Sequence, residues 1–386
     1  MYYFDNSATT KISKEVLDEM MPYLTEKFGN ASTIYSLGVE SRTAILNARE
    51  QVAKALGCSS KEIYFTSSGT ESDNWAIKGV TYANKDKGKH IITTAIEHHA
   101  VLHTCEYLEK QGFEVTYLPV KDNGIIDLEV LKKEIRKDTI LITIMAANNE
   151  IGSIQPITEI GKIAKKHNIY FHTDAVQAVG NIDIDVNKSN IDLLSFSGHK
   201  INGPKGIGVL YIREGVNIDN LLHGGGQERG KRPSTENVAS IVGISKAIEI
   251  ATKDIPKKSK YLIKLRERCI KGILDNIPDT IVNGDREKRL PGNVNVCFKY
   301  IEGESILLML DQLGICASSG SACTSGELNP SHVLLALGLP HEIAHGSLRI
   351  SISKDNTEEE IEYVLSVLPG IVQKLRDMSP LYNKEK

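Results

Sequence analysis

Between residues 60 and 215, short apolar, β-rich runs alternate with longer segments of helical periodicity. The runs are IYFTS (63–67), HIITTAI (90–96), FEVTYLPV (113–120), ILITIMA (140–146), IYFHTD (169–174), LLSFS (193–197) and GVLYIR (208–213). In ITEIGKIAKKHN, Ile157, Ile160, Ile163 and Ala164 recur at the three- and four-residue spacing of one helix face. Strand–helix alternation on this scale predicts an α/β fold, a mostly parallel seven-stranded sheet covered by helices. After about residue 255 the pattern changes. A long charged helix (KKSKYLIKLRERCIKGILDNI) precedes the short strand NVNVCFKY and a charged terminal helix, which predicts a smaller α+β domain.

The chain of 386 residues is too long for one small core. The division expected is a large α/β domain over 13–255 and a small domain built from 1–12 and 256–386. Charged residues at 25% and apolar residues at 41% are those of an ordinary globular protein, and a net charge of −3 with no basic stripe argues against nucleic acid. No apolar run is long enough to span a bilayer, and MYYFDNSATT lacks the charged and apolar regions of a signal peptide. Six cysteines (58, 105, 269, 297, 316 and 323) are too few for a disulfide framework, so a reducing cytoplasm is expected.

Ligands of open α/β sheets bind at the carboxyl ends of the strands, so the polar residues there carry the chemistry. Ser68-Gly69-Thr70-Glu71 follows IYFTS and opens a helix; its amides and hydroxyl suit a phosphate, although the same residues would serve as an ordinary N-cap. Glu97, His98 and His99 follow the second run, Asn148, Asn149 and Glu150 the fourth, Asp174 and Gln177 the fifth, and Gly198, His199 and Lys200 the sixth. A lysine among such groups can lose its proton and attack a carbonyl. A phosphate cradle, an imidazole, an acid and a lysine together match pyridoxal phosphate (PLP).

One cysteine lies in a run of the smallest residues, SSGSACTSG (318–326). No second Cys or His stands two to four residues from Cys323, so a structural metal site is not expected there. Small neighbours suit an accessible loop and a thiol that reacts. Cys58, Cys105, Cys269 and Cys297 read as buried apolar fillers, and Cys316 as a buried strand-end thiol.

These residues resemble the cysteine desulfurases of the NifS/IscS type, class V of the fold-type-I PLP enzymes. The likeness runs through YFDNSATT, FTSSGTESDN, EHHAVL, NNEIG, HTDAVQAVG, SFSGHKINGPKGIG, HGGGQERGKRPST and SSGSACTS. It implies the PLP-dependent transferase fold and a set of roles. Lys200 would be the Schiff-base lysine. Asp174 would pair with the ring nitrogen, Gln177 would lie near the ring oxygen, and His98 would stack on the ring. Gly69, Thr70, Ser197 and His199 would hold the phosphate. Thr235 would reach the cofactor of a partner subunit, which implies a homodimer. Asn149 would sit beside cofactor and substrate, and Arg349 would clamp the substrate carboxylate. L-cysteine would yield L-alanine, with Lys200 or His98 taking the Cα proton. Cys323 would carry the sulfur as a persulfide to an acceptor such as an iron–sulfur scaffold. No resident metal is implied, although Cys323 could transiently ligate an iron–sulfur cluster.

Two departures stand out. Ser68 replaces a frequent glycine, and the tail after SPLYNKEK is shorter than in IscS-type members, which puts scaffold docking through a tail in doubt. The alternatives are a selenocysteine lyase or another class-V transaminase or lyase, which would not need SSGSACTS, and a non-catalytic PLP-binding or sulfur-carrier scaffold, against which Lys200, Asp174, His98 and Cys323 stand together. Two further patterns compete weakly. HEIAH (341–345) has zinc-peptidase spacing without an evident third ligand, and the near P-loop at 225–231 has Arg232 where magnesium needs a hydroxyl.

Overall fold

A computed structural model describes residues 1–319 and 330–382. Strand β1 (Tyr2–Tyr3) is followed by helices α1 (Lys14–Thr25) and α2 (Ser36–Leu56). Then come β2 (Ile63–Thr66), α3 (Gly69–Ala83), β3 (His90–Thr94), α4 (His99–Glu109), β4 (Glu114–Leu118), α5 (Leu128–Glu134), β5 (Thr139–Thr143), α6 (Ile157–Lys166), β6 (Tyr170–Asp174), β7 (Leu193–Ser197) and β8 (Gly208–Ile212). The remainder is α7 (Val238–Thr252), α8 (Ile255–Asn276), β9 (Thr280–Val282), β10 (Asn293–Phe298), α9 (Gly303–Gln312), β11 (Ile315–Cys316), α10 (His332–Ala336), α11 (His341–Ala344), β12 (Ser347–Ser351) and α12 (Glu358–Met378).

The seven expected strands form one sheet in the order β2-β8-β7-β6-β5-β3-β4. Only β8 runs against its neighbours, β2 and β7; the other pairs are parallel. Parallel strands are covered on both faces, and side chains alternate accordingly. Ile92, Ile142, Phe171 and Leu194 enter the core under α2, α6 and α7. Their neighbours Ile91, Leu141 and Leu193 enter the core under α3 and α4, around Trp75 and Val80. On the α3 face this apolar row turns polar towards the carboxyl ends: Thr93, Thr143, His172, Asp174, Ser195 and Ser197 are all buried there. That change marks where the site lies.

A second core gathers α8, β10, β12 and α12 around Phe298 and Leu348. The periodic run at 256–275 is therefore the amphipathic helix α8, with Leu262, Leu265, Cys269 and Ile273 on its buried face. Phe4 is fully buried in this C-terminal core, and Tyr2 and Tyr3 pair in parallel with Ile315 and Cys316. Of the expected buried thiols, Cys105, Cys269 and Cys297 are buried, whereas Cys58 and Cys316 are only half-buried. Cys58 follows the left-handed C-cap Gly57 of α2, at the surface end of that helix, and Cys316 lies in the two-residue edge strand β11.

The glycine run before Lys231 leads into one 3-10 turn, Glu228–Gly230, and not into the helix a P-loop needs. Glu228 and Arg229 hold positive φ angles of 46° and 59° there. A buried ion pair fixes the turn: Arg49 of α2 donates to both oxygens of Glu228, at 2.8 and 2.6 Å, and to the carbonyl of Ile63 at 2.5 Å. The amide of Phe65 also donates to Glu228, at 3.0 Å. Glu228→Ala would strand the Arg49 cation and should cost about 3–5 kcal/mol of stability. Denaturant titration measures this directly; a change under about 1 kcal/mol would mean that the pair is solvated.

Candidate active site

Ten of the twelve residues singled out in the sequence line one cavity of about 550 Å³ at the carboxyl end of the sheet: Gly69, Thr70, His98, Asn149, Asp174, Gln177, Ser197, His199, Lys200 and Arg349. The volume is that of a small-molecule site. Cys323 lies outside the described residues. Thr235 is exposed and does not line the cavity.

At one end of the cavity is the first turn of α3. Ser68 caps it, its hydroxyl accepting from the amide of Glu71 at 3.1 Å. The amides of Gly69 and Thr70 belong to the first turn, where no intrahelical acceptor exists, so they are available to an anion. A Cβ on Gly69 would come within 2.8 Å of Val176, so the close approach of backbone here requires glycine. Ser68 keeps the cradle intact by capping it, the role a glycine could not fill.

Asp174 ends β6. Its Oδ1 accepts from the amide of Val176 at 2.9 Å. Burial raises its carboxyl to about 6, against the opposing pull of that amide and of the Lys200 charge. Lys200 closes a 3-10 turn after β7, and its Nζ donates to the carbonyls of Ser7 and, at 2.8 Å, of Ala8. Gln177 donates to the same Ser7 carbonyl at 2.9 Å. His199 is tied to the same segment through Thr9, Nδ1 to Oγ1 at 3.1 Å.

His98 caps α4: the amide of Ala100 donates to its Nδ1 at 3.1 Å. The lone pair therefore sits on Nδ1 and the ring proton on Nε2. Burial first, then the charge of Lys200, lowers this imidazole to about 4. His99 turns away from the cavity and stacks on His103, with His332 on its other side, both at centroid separations of 4.8 Å.

Arg349, on β12, reaches the cavity from the second core. It donates to Asp5 Oδ1 at 2.8 Å and to the carbonyl of Asn149 at 3.1 Å. Its Nε is buried and has no hydrogen-bond partner among the described residues, which leaves one guanidinium donor for a ligand. The assembly thus offers an anion cradle, a buried carboxylate, a neutral imidazole, a lysine and an arginine around one small volume.

The aminotransferase class-V family profile matches residues 2–364. A cysteine desulfurase IscS of Methanosarcina thermophila is 63% identical over 383 residues, covering 99% of this chain and 95% of that protein. One from Clostridium botulinum is 59% identical, covering 100% and 98%. Among solved structures, a NifS-like protein superposes with a TM-score of 0.92 at 43% identity, over 97% of this chain and 100% of that one. SspA in complex with cysteine superposes with a TM-score of 0.82 at 38% identity, over 92% and 100%.

The chain belongs to the cysteine desulfurases of the aminotransferase class-V family. For this desulfurase, the sequence motifs at the strand ends and the residues around the cavity coincide, with three omissions. Asp5 was not singled out, although it orients Arg349. Ser7 and Ala8 act through backbone carbonyls, which no side-chain pattern reveals. Asp73 lines the cavity from inside α3 and reads in sequence as one more polar helix residue. Near the zinc-like HEIAH pattern, the rings of His341 and His345 lie 5.8 Å apart, and among the described residues no group of three or more His, Cys, Asp or Glu is placed to hold a metal.

The state of His98 is directly measurable. Its folded value, about 4, lies below the ordinary 6.5, so the unfolded chain takes up this proton first. The group withholds nothing above pH 6.5 and progressively subtracts stability as pH falls from 6.5 towards 4. In NMR titration of the ring nitrogens, His98 should remain neutral, with its proton on Nε2, through neutral pH. A midpoint near 6.5 would contradict the cap.

Proposed function

We propose that this desulfurase uses PLP to convert L-cysteine to L-alanine, holds the released sulfur as a persulfide on Cys323, and delivers it to an acceptor protein such as an iron–sulfur scaffold. The convergence of Lys200, Asp174, His98 and the α3 N-terminus on one cavity carries this reading. The fit to the cofactor rests on the donor set: free helix amides and hydroxyls for a phosphate, a buried carboxylate for a ring nitrogen, and a lysine amine between them. Gly69, Thr70, Ser197 and His199 would hold the phosphate, Asp174 the ring nitrogen and Gln177 the ring oxygen, with His98 over the ring. Bound there, the cofactor supplies a carbonyl for amine exchange and a conjugated ring that takes up the electrons of the Cα–H bond.

The chain's own residues do the rest. Arg349 receives the substrate carboxylate through its unpartnered Nε–H, with Asp5 fixing the guanidinium plane and Asn149 alongside. Lys200 Nζ would take the Cα proton. Neutral His98 presents Nε2–H to the cavity, so in the resting state it is a donor and not a base; Lys200 is the better choice of the two. Cys323, as thiolate, attacks the substrate sulfur, the S–Cβ bond breaks, and the sulfur leaves as Cys323–S–SH while Cβ is protonated to give alanine.

The domain division 13–255 against 1–12 with 256–386 belongs to this proposal, supported by the two separate cores. So does a homodimer. Leu24 near the end of α1, Phe28 after it, and Ile34 and Tyr35 before α2 are large apolar side chains exposed within one short stretch of chain, and a second copy of the chain would cover them. Exposed Thr235 is then free to reach a partner's cofactor. The free thiols among the described residues suit the cytoplasm, and among those residues no helix is long and apolar enough to cross a membrane.

Incubation with L-cysteine followed by peptide mass spectrometry should find one added sulfur, on Cys323. Cys323→Ala should keep the visible absorbance of the cofactor and lose sulfide release; desulfuration surviving in that variant would overturn the assignment. Arg349→Lys keeps the charge and loses the planar fork. It should raise KM for L-cysteine by about ten- to a hundredfold, the range of hydrogen bonds to charged groups, with a smaller change in kcat. An unchanged KM would place the carboxylate elsewhere.

A further inference from the structure

Asp73 lies on α3, one turn beyond the anion cradle, with its side chain 1% exposed, and it lines the cavity beside Asp174. Nothing in the reaction outlined above uses it. Facing α3, three adjacent strands carry Thr143, His172 and Ser195, all fully buried. Strand register sets Thr143 beside His172, and Ser195 beside Asp174. The row is hydrogen-bonded across the strands: Thr143 Oγ1 to His172 Nδ1 at 2.8 Å, and His172 Nε2 to Ser195 Oγ at 2.9 Å. Asp73 Oδ1 stands 3.6 Å from His172 Nε2, and this oxygen has no hydrogen-bond partner among the described residues.

A bare oxygen is costly on a buried carboxylate and much less so on a carboxylic acid. The one ion-pairing group within reach of Asp73 among the described residues is His172. Both nitrogens of that ring are occupied by hydroxyls, and burial holds it neutral, near 3. Two neighbouring buried carboxyls repel each other as anions, so each needs its own hydrogen bonds or cation in order to ionise. Asp174 has what an anion needs, the Val176 amide and the field of Lys200. Asp73 has neither. Burial, then the neighbouring Asp174 and Glu97, push Asp73 well above the ordinary carboxylate range, against Ser195.

We propose that Asp73 is a positioning residue: an un-ionised acid set between α3 and the Thr143–His172–Ser195 row, which leaves Asp174 the single carboxylate facing the cofactor's ring nitrogen and seats the first turn of α3 at its phosphate-binding depth. The cofactor part rests on the PLP reading; the protonation part does not. Asp73 touches no reacting atom. It acts through Asp174 and through the placement of α3.

Two measurements on the full chain test this. The infrared difference spectrum, wild type minus Asp73→Asn at neutral pH, should contain the carbonyl stretch of a carboxylic acid. A carboxylate band in its place overturns the proposal. Differencing isolates Asp73 from Glu97 and Glu150, which burial also raises, to about 8 and about 7. Pyridoxal phosphate binding to the cofactor-stripped protein gives the second readout. Asp73→Leu, which cannot hydrogen-bond, should weaken binding by about tenfold or more, and the neutral isostere Asp73→Asn should restore it to within about threefold of wild type. If Asn binds as weakly as Leu, a charge on Asp73 was required and the proposal fails. If Leu binds as tightly as wild type, the seating of α3 does not depend on residue 73 and the proposal also fails. Absence of binding by the wild type would defeat the PLP reading instead, and the infrared arm would still decide the proton.

Discussion

The ammonium group of Lys200 is held by backbone carbonyls of Ser7 and Ala8, and much of the site follows from that contact. Carbonyl oxygens attract a cation and fix the direction of its N–H bonds. The same segment binds Gln177 through Ser7, His199 through Thr9 and Thr10, and Arg349 through Asp5. Residues 5–10, which turn at 6–8, are thus a strap that touches Lys200, His199 and Arg349 at once. Any displacement of this strap shifts all three together.

Around the strap, the cations Lys200, Lys205 and Arg349 line the same cavity as buried acids. Glu97 keeps its place by accepting from Thr94 at 2.7 Å and from the amide of Met145 at 3.1 Å. Glu150 accepts from Ser331, and its carbonyl receives Asn293 and Asn295, which ties the sheet to the second core. Burial raises each of these carboxyls, so at neutral pH negative charge is concentrated where it has partners. The imidazoles are lowered by the same burial, which leaves His98 and His199 as neutral donors or acceptors around Lys200.

Much of this was legible in the residues. The seven strands announce themselves as β-rich runs because parallel strands are buried on both faces, and the polar residues directly after them are the site, because that is where strands end and helices begin. The reversed direction of β8 was not legible: a strand's periodicity is the same read either way. Helices α1 and α2 left a weaker trace, since Leu17, Met21 and Leu24 of α1 and Val39 and Leu46 of α2 are exposed and blur the apolar face. Asp5 and Asp73 were missed for different reasons. Asp5 matters through a partner 344 residues away in the chain, and Asp73 through two strands it meets only in three dimensions.

The pairing of Tyr2 and Tyr3 with Ile315 and Cys316, and the seat of Phe4 beside β12, have a bearing on how the molecule is made. On the ribosome these first residues emerge long before the strands that receive them. The seven-stranded sheet can assemble while they wait, but the lysine pocket has no lid of carbonyls until the chain has been synthesised past residue 351. Contacts that span nearly the whole polypeptide form late and slowly. The cavity therefore takes its final shape only after residue 351 has been made, and a chain stopped short of it, however well folded its sheet, would lack the carbonyls that surround Lys200.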